Sequence, residues 1–175
     1  DSSTSRGLGD VYKRQLMAVS ALAACATHTP APDPSAAMAA AQGEPIATAG
    51  LDWFMNRDGR EVSLAYGVAN SDEVKLHLLC QAGSGALEIT AASEKPAREI
   101  HLESGGDTER YAATSEPAVV HEGELLTARA RTKDPVFLRF RRLGWIAAWS
   151  DDARELYVAH PPAKAGIEQF FAVCG

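Results

Sequence analysis

Two runs of alternation constrain the fold of this chain more than any other feature of its sequence. Val62, Leu64, Tyr66 and Val68 alternate with small or polar neighbours, and Val74, Leu76, Leu78 and Cys80 alternate with residues that include Lys75 and His77. Side chains two apart on a strand share a face, so each run has the pattern of a half-buried β-strand. Asn70-Ser71-Asp72-Glu73 between them is a turn cluster, and the two runs make the clearest predicted β-hairpin of the chain. Cys80 falls on its inward face.

The same pattern recurs along the chain. Leu51 to Asn56 holds Trp53 and Phe54 and leads into the turn residues Arg57-Asp58-Gly59-Arg60. Gly83-Ser84-Gly85 turns into Leu87, Ile89 and Ala91, while Ile100 and Leu102 oppose Glu99, His101 and Glu103. Gly105-Gly106 precedes a strand around Arg110–Thr114. Later strands are predicted at Leu125–Arg131, at Val136–Arg141 with Val136, Leu138 and Phe140 inward, at Gly144–Trp149 and at Leu156–Ala159. Asp151-Asp152 reads as a hairpin tip. Short strands joined by turn signals indicate a mainly β fold, an antiparallel β-sandwich or barrel. The end differs. After Pro161-Pro162, the residues Ala163, Ile167, Phe170, Phe171 and Cys174 fall at helical spacing. A C-terminal amphipathic helix is therefore expected to press onto the β core and carry Cys174 toward Cys80.

The third cysteine lies in a different setting. The nine residues from Leu16 to Ala24 are apolar or small, too few to span a bilayer as a helix, and have the character of the end of a signal-peptide hydrophobic region. Leu22-Ala23-Ala24-Cys25 resembles the lipobox of bacterial lipoproteins at all four positions. The resemblance implies that the Cys25 thiol receives a diacylglyceryl group, that the preceding peptide is removed, and that the new amino terminus is acylated. Several acyl chains would anchor the protein stably in a membrane. Ala26 rather than Asp after the cysteine implies the outer membrane, facing the periplasm. With Cys25 assigned to lipid, Cys80 and Cys174 remain, an even pair in an oxidising compartment. They are expected to form a disulfide closing a loop of about ninety residues, worth about 4–5 kcal/mol in the chain-entropy model; two buried free thiols are the alternative.

Residues 1–24 are thus read as leader. Within them Asp10 to Gln15, DVYKRQ, resembles the in-frame translation of a transposase adaptor end used in sequencing libraries, which makes residues 1–15 a scar ahead of a truncated signal peptide. Residues 25–49 are rich in Ala, Pro and small polar residues and read as a disordered tether, with at most a marginal helix around Ala36–Ala41. Residues 50–175 are read as one β-rich domain, long enough for a real core. Loss of residues 1–24 removes three of the 17 basic and two of the 23 acidic residues, taking the net charge from −6 to −7. That balance argues against nonspecific nucleic-acid binding.

No catalytic or cofactor motif emerges. No HxH, HxxxH or HExxH spacing links His28, His77, His101, His121 and His160, so no metal site is predicted. His77 and His101 are both expected to face outward. Ser84 between two glycines reads as a turn before it reads as a nucleophile, and no GxSxG elbow is present. Asp151-Asp152 with His160 forms an acid–base set only in principle. No glycine loop continues into Lys-Ser/Thr, so no nucleotide cofactor is expected. The strongest feature is basic: Arg139 and Arg141 on one outward face, and Arg129 and Arg131 on one face of the preceding strand. If those strands pair, four arginines form a patch for an anionic envelope component or an acidic protein; the alternative is a solvated face balanced by Glu122, Glu124, Asp151 and Asp152. Trp145 and Trp149 share a face beside it, and tryptophan with arginine is the pairing that dominates binding hot spots. The resulting expectation is a non-enzymatic envelope lipoprotein acting as a binding or accessory module. A hydrolase or hydrolase inhibitor, and a purely structural envelope protein, are the alternatives.

Overall fold

The computed structural model of the chain describes residues 45–119, 122–150 and 153–175. The adaptor-like residues, the apolar run, Cys25, the tether as far as residue 44 with its marginal helix, His28, His121 and the Asp151-Asp152 tip lie outside the described residues.

The described strands are β1 (Leu51–Asp58), β2 (Glu61–Val68), β3 (Val74–Gln81), β4 (Ala86–Ser93), β5 (Glu99–Ser104), β6 (Asp107–Pro117), β7 (Glu124–Arg131), β8 (Trp145–Ser150) and β9 (Ala153–Val158). They form one antiparallel sheet in the order β1-β2-β3-β4-β7-β6-β5-β8-β9, curled into a nearly closed barrel. β5, β6 and β7 run back as a meander, which places β7 against β4 and β5 against β8. At the seam, Trp53 Nε1 donates to the Tyr157 carbonyl at 3.4 Å, and the His160 amide donates to Asp52 Oδ1 at 3.0 Å.

The predicted hairpin is β2–β3. Its inward residues face each other directly, Val62 opposite Cys80, Leu64 opposite Leu78 and Tyr66 opposite Leu76, and all six are buried. Such opposed apolar pairs are the unit of sheet stabilisation. They also fix the register, because a slip by one residue would turn every one of them to solvent.

One predicted strand is a helix. Residues Pro135–Leu143 form α1, and the second helix, Lys164–Cys174, is α2. Pro135 occupies the first turn, where a missing N–H costs nothing. Glu109 Oε2 accepts the Val136 amide at 2.9 Å and so satisfies one of the free donors of that turn. Gly144 closes the helix with φ +75°, its amide donating to the Phe140 carbonyl at 2.7 Å, and Arg141 and Arg142 lie in the last turn, where the helix dipole favours cations. Val136, Phe137 and Phe140 share the buried face, while Leu138, expected inward, is 49% exposed. The spacing of Val136 and Phe140 satisfies a helical period as well as a two-residue one, and the caps decide between them.

Both helices serve the interior. Phe137 and Phe140 from α1 meet Phe171 of α2, and the Phe140 ring lies 4.8 Å from that of Trp53 on β1. Ile167, Phe170, Phe171 and Cys174 are buried, as their helical spacing predicted. Cys80 and Cys174 form the expected disulfide, with their Cα atoms 5.8 Å apart. Beside it, the Gly83 and Gly85 amides each donate at 2.8 Å, to the carbonyls of Val173 and Cys174. The GSG turn therefore supplies partners for carbonyls that the end of a helix would otherwise leave unpaired.

Candidate functional site

The arginines do not assemble as the sequence suggested. Arg129 and Arg131 are exposed on the outer face of β7, beside a shallow depression with Ser84 and Asp134. Arg139 and Arg141 belong to α1, where residues two apart point in nearly opposite directions. The Arg139 side chain is 17% exposed and turned inward on the β5–β6 hairpin. It donates to the carbonyls of Ser104 at 2.6 Å and Asp107 at 3.2 Å, and to Glu109 Oε1 at 3.0 Å. Arg141 lies over the Phe171 ring, 5.5 Å from its centroid. Arg139 thus docks α1 on the barrel, and the four-arginine patch does not form because its second half is helical.

The tryptophans do share a face. Trp145 and Trp149 are half-buried on the outside of β8, between β5 and β9. Between them stands a carboxylate whose role sequence reasoning missed. Glu103 points outward from β5, yet it is only 8% exposed. Arg154 donates to it twice, Nε to Oε2 at 2.8 Å and Nη2 to Oε1 at 2.7 Å, and Trp149 Nε1 donates to Oε2 at 2.9 Å. The Arg154 guanidinium also lies 5.6 Å from the Trp145 ring centroid. Burial pushes the Glu103 carboxyl upward, but the hydrogen bonds from Arg154 and Trp149 and the Arg154 charge outweigh it and hold the group below the ordinary carboxylate range. The cluster fastens β5, β8 and β9 together and fixes the plane of the Trp149 ring. The one sequence-level hint of it was parity: Glu103 was placed on the outward face, and its partners lie 46 and 51 residues away.

Next to Trp149 the rim of the barrel is concave. The β4–β5 connection from Lys95 to Arg98, together with Ser93, Glu99, His101, Leu126 and Trp149, encloses a groove of about 490 Å³. It opens where β6 leaves β5 to pair with β7, so the sheet splays at this corner. His101 faces outward as expected, directly opposite Trp149 in the ladder, with Nε2 3.0 Å from Glu99 Oε2. A second groove of about 330 Å³ lies on the other side of Ser93, between Glu73, Lys75, Glu94, Glu122 and Glu155. His77, also outward, sits on β3, which pairs with neither β5 nor β8. Among the described residues no group of three or more His, Cys, Asp or Glu side chains is placed to hold a metal ion. Ser84 caps its own turn, its hydroxyl contacting both the amide and the carbonyl of Ala86.

No protein-family model, curated protein or solved structure matches this chain. The chemistry of the site is therefore read from its own residues. Among the described residues no helix is long and apolar enough to cross a membrane. The rim groove combines a held aromatic plane, an apolar floor and polar groups of both donor and acceptor type, which is the composition of a ligand-binding surface.

Proposed function

We propose that this protein is a lipid-anchored component of the bacterial envelope, a non-enzymatic binding module that presents the rim of its barrel to an envelope macromolecule. The observation that carries this reading is the filled interior. Phe137, Phe140, Phe170 and Phe171 occupy the barrel and are fully buried, so a partner is met on the outside, and the rim groove is a concave surface beside fixed polar and aromatic groups. The lipobox-like Leu22-Ala23-Ala24-Cys25 supports the anchor, and the Cys80–Cys174 bond suits an oxidising compartment. A hydrolase is less well supported, because a general acid needs a raised pKa and a free proton-transfer path. Glu103, the buried carboxylate at the rim, is held ionised with both oxygens engaged.

The test has two arms. Labelling with an alkyne analogue of palmitate should mark the wild-type chain and fail to mark Cys25→Ser. A crosslinking pull-down from envelopes should recover a discrete partner with the wild type that is lost with Arg98→Glu/Trp149→Ala. An unlabelled wild type would remove the anchor. A partner retained by the double variant would remove the rim as the binding surface.

A further inference from the structure

We propose that the rim groove beside Trp149 is a saccharide-binding site; the proposal rests on the binding-module reading and names the ligand class of that surface. The groove, about 490 Å³, lies within the roughly 300–1,000 Å³ common for small-ligand sites. Its aromatic wall is held before any ligand arrives. Trp149 Nε1 is tied to Glu103 at 2.9 Å, and Glu103 is gripped at both oxygens by Arg154. An immobilised ring loses little entropy on binding, which is the condition for a useful platform.

The chemistry around that platform selects the ligand. The face of an indole carries negative quadrupole charge and attracts partially positive C–H groups. A pyranose offers such groups on one face and hydroxyls around its edge. Ala97 and Leu126 form the apolar part of the groove, while Ser93, Arg98, Glu99 and His101 place donors and acceptors along its margin. A wholly apolar ligand would strip water from those margin groups and return no hydrogen bond for it, at a cost for each. A strongly anionic peptide would meet the Glu99 carboxylate, which already sits against His101 at 3.0 Å. A ligand with apolar faces and hydroxyl edges satisfies both halves of the lining.

The experiment is a titration of the full chain, with ¹⁵N-labelled tryptophan side chains, against maltotetraose, cellotetraose, chitotetraose and tetragalacturonate. At least one should bind with a Kd between roughly 10 μM and 1 mM, moving the Trp149 indole resonance and leaving that of buried Trp53 in place. Trp149→Ala should weaken binding at least about tenfold, equivalent to about 1.4 kcal/mol. Its unchanged Trp53 resonance shows that the barrel is intact. His101→Ala, which leaves Glu103 and Arg154 untouched, should weaken it by roughly threefold to tenfold, the worth of one hydrogen bond. No movement of the Trp149 resonance with any of the four sugars at millimolar concentration overturns the proposal, as does binding that survives Trp149→Ala. An acidic peptide that moves the Trp149 resonance where the sugars do not would overturn the saccharide assignment and leave the binding-module reading standing.

Discussion

Glu103 and His77 show how a single buried or half-buried group sets the response of this barrel to pH. Glu103 is held below the ordinary carboxylate value of 4.5, so the folded state binds its proton less readily than the unfolded chain. Its contribution is present above about pH 4.5 and is lost as pH falls through the lowered folded value. Glu103→Gln should therefore lower stability at pH 7 by about 1.5–3 kcal/mol, the range for hydrogen bonds to a charged partner. Thermal unfolding should show that difference shrinking below pH 4.5; a constant difference down to pH 3 would contradict the assignment. His77 has the same sign from a different cause, in a higher pH window. Burial pushes it below its ordinary 6.5, against the pull of Glu88 and Glu61. Here the unfolded chain binds the proton first, so stability is full above about pH 6.5, falls as pH drops toward the lowered folded value, and then levels off. His77→Gln should flatten that fall. Urea midpoints at pH 7.5 and 5.5 measure it, and equal losses in wild type and variant would place the effect elsewhere. Neither environment was legible from sequence beyond the parity of each residue, because the groups that bury Glu103 arrive from β8 and β9.

The elements themselves were largely legible, and α1 marks where alternation misleads. Val62 to Val68 and Val74 to Cys80 could be read at one period alone, and they form β2 and β3. Val136, Leu138 and Phe140 also alternate, but Asp134-Pro135 ahead of them and Gly144 behind carry helix-end chemistry, and that chemistry prevails. The inward set is Val136, Phe137 and Phe140, which no strand could present together. Gly144 is the most exposed point of this arrangement to mutation. Its φ of +75° disfavours any side chain, and a Cβ there would lie 2.8 Å from Cε of Lys164, where the flexible lysine end can yield. Gly144→Ala should thus cost about 1 kcal/mol. Chemical denaturation checks it, and a neutral result would mean that the turn relaxes to another conformation. The same misreading dissolved the arginine patch, since a helix in place of a strand turns Arg139 onto Ser104, Asp107 and Glu109.

For the molecule as a whole, the two cysteine assignments came from different periods, strand for Cys80 and helix for Cys174, and they agree in the observed bond. The strand order was not readable. Inserting β5, β6 and β7 as a reversed meander depends on β7 meeting β4, a contact between segments that no local pattern links. The disulfide spans 94 residues, a separation worth about 4–5 kcal/mol in the chain-entropy model. Cys80→Ala/Cys174→Ala should accordingly melt roughly 10–20 °C below the wild type. Calorimetry under non-reducing conditions tests this, and a shift of only a few degrees would show that α2 is held by Ile167, Phe170 and Phe171 alone. The position of that bond also orders the protein's manufacture. Cys174 follows all nine described strands in the chain, so a ribosome delivers those strands ahead of the lock, and they can begin to find their register without it. Upstream of Cys80 stands another thiol, Cys25. A thioether at Cys25 would do more than moor the chain: it would take a wrong partner out of reach while Cys80 and Cys174 find each other.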